Sequence, residues 1–137
     1  MIKRISHIGI AVKSLNASKD LFTKLLGKEP EHTETVEEQN ATISFYPIGD
    51  SSLELIESSA VPGQGSSIGK FIERRGEGIH HICLEVENLA LEISRLKNLG
   101  FQFVDDTPSP GGDGKLVAFI HPKSANGVLV ELSETIR

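Results

Sequence analysis

The 137-residue chain has a single cysteine, Cys83, no tryptophan and one tyrosine. One cysteine excludes a disulfide framework within the chain and a cysteine-rich zinc module. Aromatic residues make up only 5%, so platforms for stacking nucleic-acid bases are poorly supplied. A cationic excess is missing too: 14 Lys and Arg stand against 19 Asp and Glu, a formal charge of -5. Such a balance has no strong electrostatic claim on DNA, RNA or an anionic membrane. The strongest basic pair, Arg74-Arg75, is flanked by Glu73 and Glu77. No apolar stretch approaches the roughly 20 residues that span a bilayer. The opening Met1-Ile2-Lys3-Arg4 runs directly into a strand-like pattern with no apolar leader core behind it. A cytoplasmic protein with neither nucleic acid nor membrane as partner is expected. What remains, 38% hydrophobic and 24% charged residues, is an ordinary globular balance at a length that suits one domain.

The chain repeats itself. Residues 7 to 15 read His-Ile-Gly-Ile-Ala-Val-Lys-Ser-Leu, and residues 81 to 89 read His-Ile-Cys-Leu-Glu-Val-Glu-Asn-Leu. Each copy leads into a helical pattern. The first has Leu21, Phe22, Leu25 and Leu26, with Asn16 as N-cap and Gly27 as stop; the second has Leu89, Ile93, Leu96 and Leu99, with Asn88 and Gly100. Strands are expected after each helix, over 28–35 and 101–106. A hairpin then follows in each copy: 41–46 and 53–57 around a Pro47-Ile48-Gly49-Asp50 turn, and 115–120 and 128–132 around the 121–127 loop. The fold expected is α+β, two tandem βαβββ units with pseudo-two-fold symmetry that form an open, partly closed sheet around a metal-binding cavity. Repeat one covers about 1–57, a linker with a short helix at 68–75 covers 58–78, and repeat two covers about 79–137, all within a single domain.

Strand alternation puts His7, Gly9 and Ala11 on one face and the aliphatic residues between them on the other. His81, Cys83 and Glu85 do the same in the second copy. Glu54, between Leu53 and Leu55, and Glu131, between Val130 and Leu132, also leave the aliphatic face. If the halves pair symmetrically, His7, Glu54, His81 and Glu131 point into one cavity. Two imidazoles and two carboxylates suit a five- or six-coordinate divalent ion, Co²⁺, Ni²⁺, Mn²⁺ or Zn²⁺, with positions left open for a substrate. Cys83 is read as a small buried hydrophobe and not as a ligand, and His80 as structural.

These segments carry a resemblance that covers nearly the whole chain. Residues 6–12, 76–82, 117–124 and 127–132, together with 50–57, make the chain similar to the glyoxalase/bleomycin-resistance/vicinal-oxygen-chelate superfamily, and within it to the methylmalonyl-CoA epimerase family. The resemblance implies metal ligands at His7, Glu54, His81 and Glu131, with Co²⁺ the first choice of ion. It implies an isomerase of propionate metabolism that inverts C2 of methylmalonyl-CoA, 2R to 2S, by 1,1-proton transfer through a metal-stabilised enolate. Glu131 is the candidate catalytic base. Lys115, His121, Lys123 and Ser124 are candidate contacts for the acyl-CoA substrate, and a homodimer is expected by analogy. Some family members use another Glu on the strand after the first helix. Residues 41–46 hold no carboxylate, and Glu37 and Glu38, just before them, read as solvated. The second proton carrier is thus open between a water, Glu54 and another residue. Two alternatives share the scaffold: a glyoxalase I-type lactoylglutathione lyase, and a non-enzymatic small-molecule-binding protein.

Overall fold

The computed structural model describes residues 1–60 and 65–136. Four residues of the expected linker, 61–64, lie outside them. The element order is β1 (Ile2–Ala11), α1 (Leu15–Leu26), β2 (His32–Val36), β3 (Ala41–Ile48), β4 (Ser51–Ser58), α2 (Ser67–Arg75), β5 (Gly78–Val86), α3 (Leu89–Asn98), β6 (Ser109–Pro110), β7 (Lys115–Ile120) and β8 (Val130–Thr135). The α+β chain therefore runs strand, helix and three strands, twice, with α2 between the copies. No helix among the described residues is long and apolar enough to cross a membrane.

The chain divides into two compact units, and the division falls inside β1. One unit holds Met1–His7 and His81–Arg137, the other Ile8–His80. In the first unit the strand order is β1-β5-β8-β7-β6. β5 and β8 run parallel with Cys83 opposite Glu131, and β7 and β8 run antiparallel with Phe119 opposite Glu131. α3 covers the aliphatic face: Val86, Leu89, Leu96, Ala118, Ile120 and Leu132 are buried together, with Leu84 and Ile93 against them. Each fully buried aliphatic side chain of this kind contributes about 1.5–3 kcal/mol.

In the second unit the order is β2-β3-β4-β1. Val12, Leu15, Tyr46 and Leu55 form one cluster with Phe22 and Leu26 of α1. Ala11, Val36, Ala41, Ile43, Phe45, Ile56 and Ile68 form another, with Phe71 and Ile72 of α2 against it. The seam of α1 is Leu15, Phe22 and Leu26. Leu21 and Leu25 sit one residue back, about 100° round the helix, and are 62% and 69% exposed, which corrects the four-residue face expected from sequence.

Both helices following the repeated strand are started in the same way. Ser14 caps α1 by accepting from the Ala17 N–H, and Asn88 caps α3 by accepting from the Leu91 N–H. Asn16, the expected cap, is instead inside α1. A carboxylate adds to each start: Glu57 accepts from the Leu15 N–H and Glu134 from the Leu89 N–H, both at 2.7 Å. Anions here meet the positive end of the helix dipole. The helix stop at Gly27 is as expected, with φ +73, a left-handed conformation that suits glycine.

Several strand boundaries differ from expectation, among them that of β2, which spans His32–Val36 where 28–35 is expected. Pro47 lies within β3, opposite Ser52, and the turn is the shorter Gly49-Asp50; Pro is tolerated near a strand end. β8 begins at Val130 and reaches Thr135, whereas 128–132 was expected. The strand expected over 101–106 is reduced to one bridge, Phe103 to Ile120, followed by the two-residue β6. Pro108 and Pro110, beyond that segment, cannot donate to a ladder, and β6 ends at Pro110.

Candidate metal centre

Three of the expected site residues meet within the first unit. His7 comes from β1, His81 from β5 and Glu131 from β8, and all three are buried. Their polar atoms converge. The two Nε2 atoms are 3.0 Å apart, and Glu131 Oε1 is 3.1 Å from His7 Nε2 and 2.9 Å from His81 Nε2. Without an ion, one of the facing ring nitrogens has to carry a proton. For donors about 2.1 Å from an octahedral ion, neighbouring ligand atoms are about 3 Å apart. The triangle of atoms therefore fits one face of a six-coordinate centre. Burial alone would raise the Glu131 carboxyl, but hydrogen bonds and charge from His7 and His81 outweigh it, and the group is held well below the usual carboxylate range.

Glu54, the fourth expected ligand, is in the second unit on β4, buried and opposite Phe45 across the β3–β4 ladder. Cys83 is completely buried. Its sulfur belongs to a group with His7 and Glu131 in which all potential ligand atoms lie within 4.8 Å of one another, and it donates to Ser133 Oγ at 3.3 Å. Burial, and then the charge of Glu131, push its thiol up, so its uncomplexed form is the neutral thiol. His80 is held by Ser67 Oγ and packs edge-on against Phe71, in keeping with a structural role.

Of the four expected substrate contacts, Lys115 donates to Ser6 Oγ at 3.1 Å. His121, Lys123 and Ser124 sit in the β7–β8 loop. There the His121 ring accepts from the Lys123 N–H and Ser124 Oγ from the Gln102 N–H. Two residues at the site were not singled out from sequence. Phe119 packs edge-on to His81, with ring centroids 5.9 Å apart; the register of the β7–β8 hairpin, which sets it opposite Glu131, was the available signal. Ser6 lies 3.3 Å from His7 Nδ1. Ser6 and His7 are adjacent in β1 and both buried; alternation groups His7 with Gly9 and Ala11 and leaves Ser6 outside that set.

Glu85 lies further along the face of β5 that carries His81, and it is buried. Arg4 Nη2 is 3.0 Å away, Lys3 Nζ 3.4 Å and Lys115 Nζ 3.6 Å. Burial raises its carboxyl, yet Arg4, Lys115 and Lys3 together hold it below its ordinary value of 4.5. A carboxylate depressed in the folded state stabilises above its unfolded pKa, and that contribution is lost as pH falls through the folded value. Glu85→Gln should therefore flatten the acid side of a melting-temperature profile below about pH 4.5. At pH 7 it should cost about 2 kcal/mol, less than a fully buried pair because Arg4 and Lys3 stay partly in water. Parent and variant profiles that remain parallel would show that Glu85 does not carry this dependence.

The chain belongs to the glyoxalase/bleomycin resistance protein/dioxygenase superfamily, whose family model matches residues 6–119. An ethylmalonyl-CoA/methylmalonyl-CoA epimerase of Cereibacter sphaeroides is 37% identical over 136 residues, covering 98% of this chain and 99% of that protein. A variant of Streptomyces coelicolor methylmalonyl-CoA epimerase, solved in complex with 2-nitronate-propionyl-CoA, superposes with a TM-score of 0.91 at 31% identity and full coverage of both chains. A methylmalonyl-CoA epimerase solved with methylmalonyl-CoA and NH4+ gives 0.90 at 32% identity, covering 98% and 96%. These relatives are isomerases, and the sequence resemblance to them holds across the fold.

Proposed function

We propose that the chain is a divalent-metal-dependent epimerase that inverts C2 of methylmalonyl-CoA, 2R to 2S, by 1,1-proton transfer. The observation that carries the reading is the convergence of His7, His81 and Glu131 in a chain whose relatives bear that activity in their names. His7, His81 and Glu131 would hold the ion, with Co²⁺ preferred. Glu54 joins them on the strength of the sequence repeat. When bound, such an ion supplies Lewis acidity that stabilises negative charge developing on the substrate's thioester oxygen.

The residues do the proton work. Glu131 is held ionised by its two imidazole partners, the form a base requires, and taking up the C2 proton calls for those partners to loosen their hold on it. It takes the C2 proton, the C–H electron pair moves toward the thioester carbonyl, and a proton returned on the opposite face by a water, Glu54 or another residue completes the inversion. The 137 residues would work as one vicinal-oxygen-chelate-type domain, as a cytoplasmic homodimer in propionate metabolism, with Lys115, His121, Lys123 and Ser124 on the acyl-CoA side.

Deuterium uptake tests the reaction. The protein is loaded with Co²⁺, given one epimer of methylmalonyl-CoA in D₂O, and the mass at C2 is followed against a control without protein. Fast exchange that depends on the ion is expected. Exchange no faster than the control would remove the epimerase reading and bring forward the hemithioacetal of glutathione, the substrate of a glyoxalase I-type lyase.

A further inference from the structure

Glu131 has two cross-strand partners in the first unit, Cys83 on β5 and Phe119 on β7. Cys83 is completely buried. Phe119 is only half-buried, so part of its ring is open to a ligand. Its neighbours in sequence, Ala118 and Ile120, belong to the cluster under α3. Alternation therefore turns Phe119 to the other face of β7, the face of Glu131. The ring meets His81 edge-on, with centroids 5.9 Å apart. Val117, two residues back on that face, is closed off: it is 2% exposed, and a Cβ added at Gly111 would stand 2.6 Å from its Cγ1. A large apolar side chain thus stands beside the candidate base, outside the core cluster, with part of its surface uncovered.

We infer that Phe119 is a specificity-determining residue whose ring receives the methyl group on C2 of the substrate. The inference rests on the proposed epimerisation. C2 of methylmalonyl-CoA carries a hydrogen, a carboxylate, a thioester and a methyl group. The hydrogen must face Glu131. The carboxylate and the thioester carry oxygens, which suit cations and hydrogen-bond donors. Only the methyl group gains by leaving water for an apolar surface. Side chains directly opposite in an antiparallel pair have Cβ atoms about 5 Å apart. A carbon within reach of Glu131 therefore brings its methyl group within reach of Phe119. One wall serves both epimers. When the C2 proton leaves one face and another arrives on the opposite face, the three heavier groups pass through a plane and move little. The methyl group stays beside the ring through the inversion.

The test compares methylmalonyl-CoA with malonyl-CoA, which has the same oxygens and lacks the methyl group. Deuterium uptake at C2 is measured with the full-length, Co²⁺-loaded protein in D₂O, as kcat/KM for each thioester above a control without protein. The ratio of the two values is compared between parent and variants, so the different intrinsic acidities of the thioesters cancel. A methyl-sized group in an apolar pocket is worth about 10–200-fold in such a ratio. Phe119→Ala should lower the preference for methylmalonyl-CoA at least about tenfold, through loss on that substrate. Phe119→Leu, which keeps an apolar side chain, should retain part of the preference. A ring that serves only to hold His81 predicts equal losses on both thioesters, and equal losses would overturn the inference. So would a ratio unchanged in both variants. If Phe119→Ala fails to fold, Phe119→Leu decides: a lowered ratio supports the inference and a parental one refutes it. A parent that exchanges neither thioester removes the proposed reaction and this inference with it. Exchange by the parent, with a parental ratio in the variants, removes this inference alone.

Discussion

Glu131→Gln should retain the fold and part of the metal affinity while losing most turnover, about 10²–10⁴-fold in kcat, the range for removing a positioned acid or base. The substitution is nearly isosteric. An amide oxygen at the same place can still face the two Nε2 atoms that now lie 3.1 and 2.9 Å from Oε1. What it lacks is charge and basicity. The parent carboxylate is buried, and only the histidines offset the cost of keeping it ionised there. The glutamine therefore removes the proton acceptor and also the anion that His7 and His81 were arranged to meet. Parallel measurements of metal content, kcat and deuterium exchange at C2 separate the two effects. Exchange lost in a variant that still takes up Co²⁺ is the expected outcome. Exchange and turnover equal to the parent's would end the assignment of Glu131 as base.

Much of this site was legible in the sequence because the repeat carries information that no single residue does. His7, His81 and Glu131 were found by asking which polar residues interrupt an aliphatic face at equivalent places in two copies, and all three are buried in contact. The repeat could have gone further. The 74-residue offset between His7 and His81 carries Asn88, the cap of α3, back to Ser14, the cap of α1. Asn16 is as good a cap by composition, and only the offset separates the two. Other features were out of reach. Alternation groups His7 with Gly9 and Ala11 and leaves Ser6 out of that set, although Ser6 is buried too. The link from Lys115 to Ser6 joins residues 109 positions apart, and nothing local encodes it. The strand expected over 101–106 rested on the symmetry of the two copies, and the structure keeps only the Phe103–Ile120 bridge of it.

His81→Ala should abolish metal-dependent behaviour and also destabilise the metal-free fold, because the buried Glu131 carboxylate loses one of its two imidazole partners. In the parent, His81 Nε2 stands 3.0 Å from another ring nitrogen and 2.9 Å from a buried carboxylate. That arrangement is useful to an ion and demanding without one, because the contacts depend on where protons sit. Removing one imidazole deletes a ligand and relieves the opposition of two ring nitrogens. It also leaves a cavity beside Phe119, which packs edge-on to the lost ring. The comparison is best made as ligand-induced stabilisation. An ion that binds only the folded state adds about 2.7 kcal/mol at 100 times its Kd, which appears as a rise in melting temperature. The parent should show this rise with Co²⁺. His81→Ala should show almost none at the same concentration, with affinity reduced at least about 100-fold, the upper end of what losing a mere second-layer partner costs. Activity should fall in proportion to metal occupancy, because the variant leaves Glu131 in place. A Co²⁺-induced rise equal to the parent's would mean that His81 is not a ligand, and that the convergence of three polar atoms at the centre of the first unit serves the fold alone.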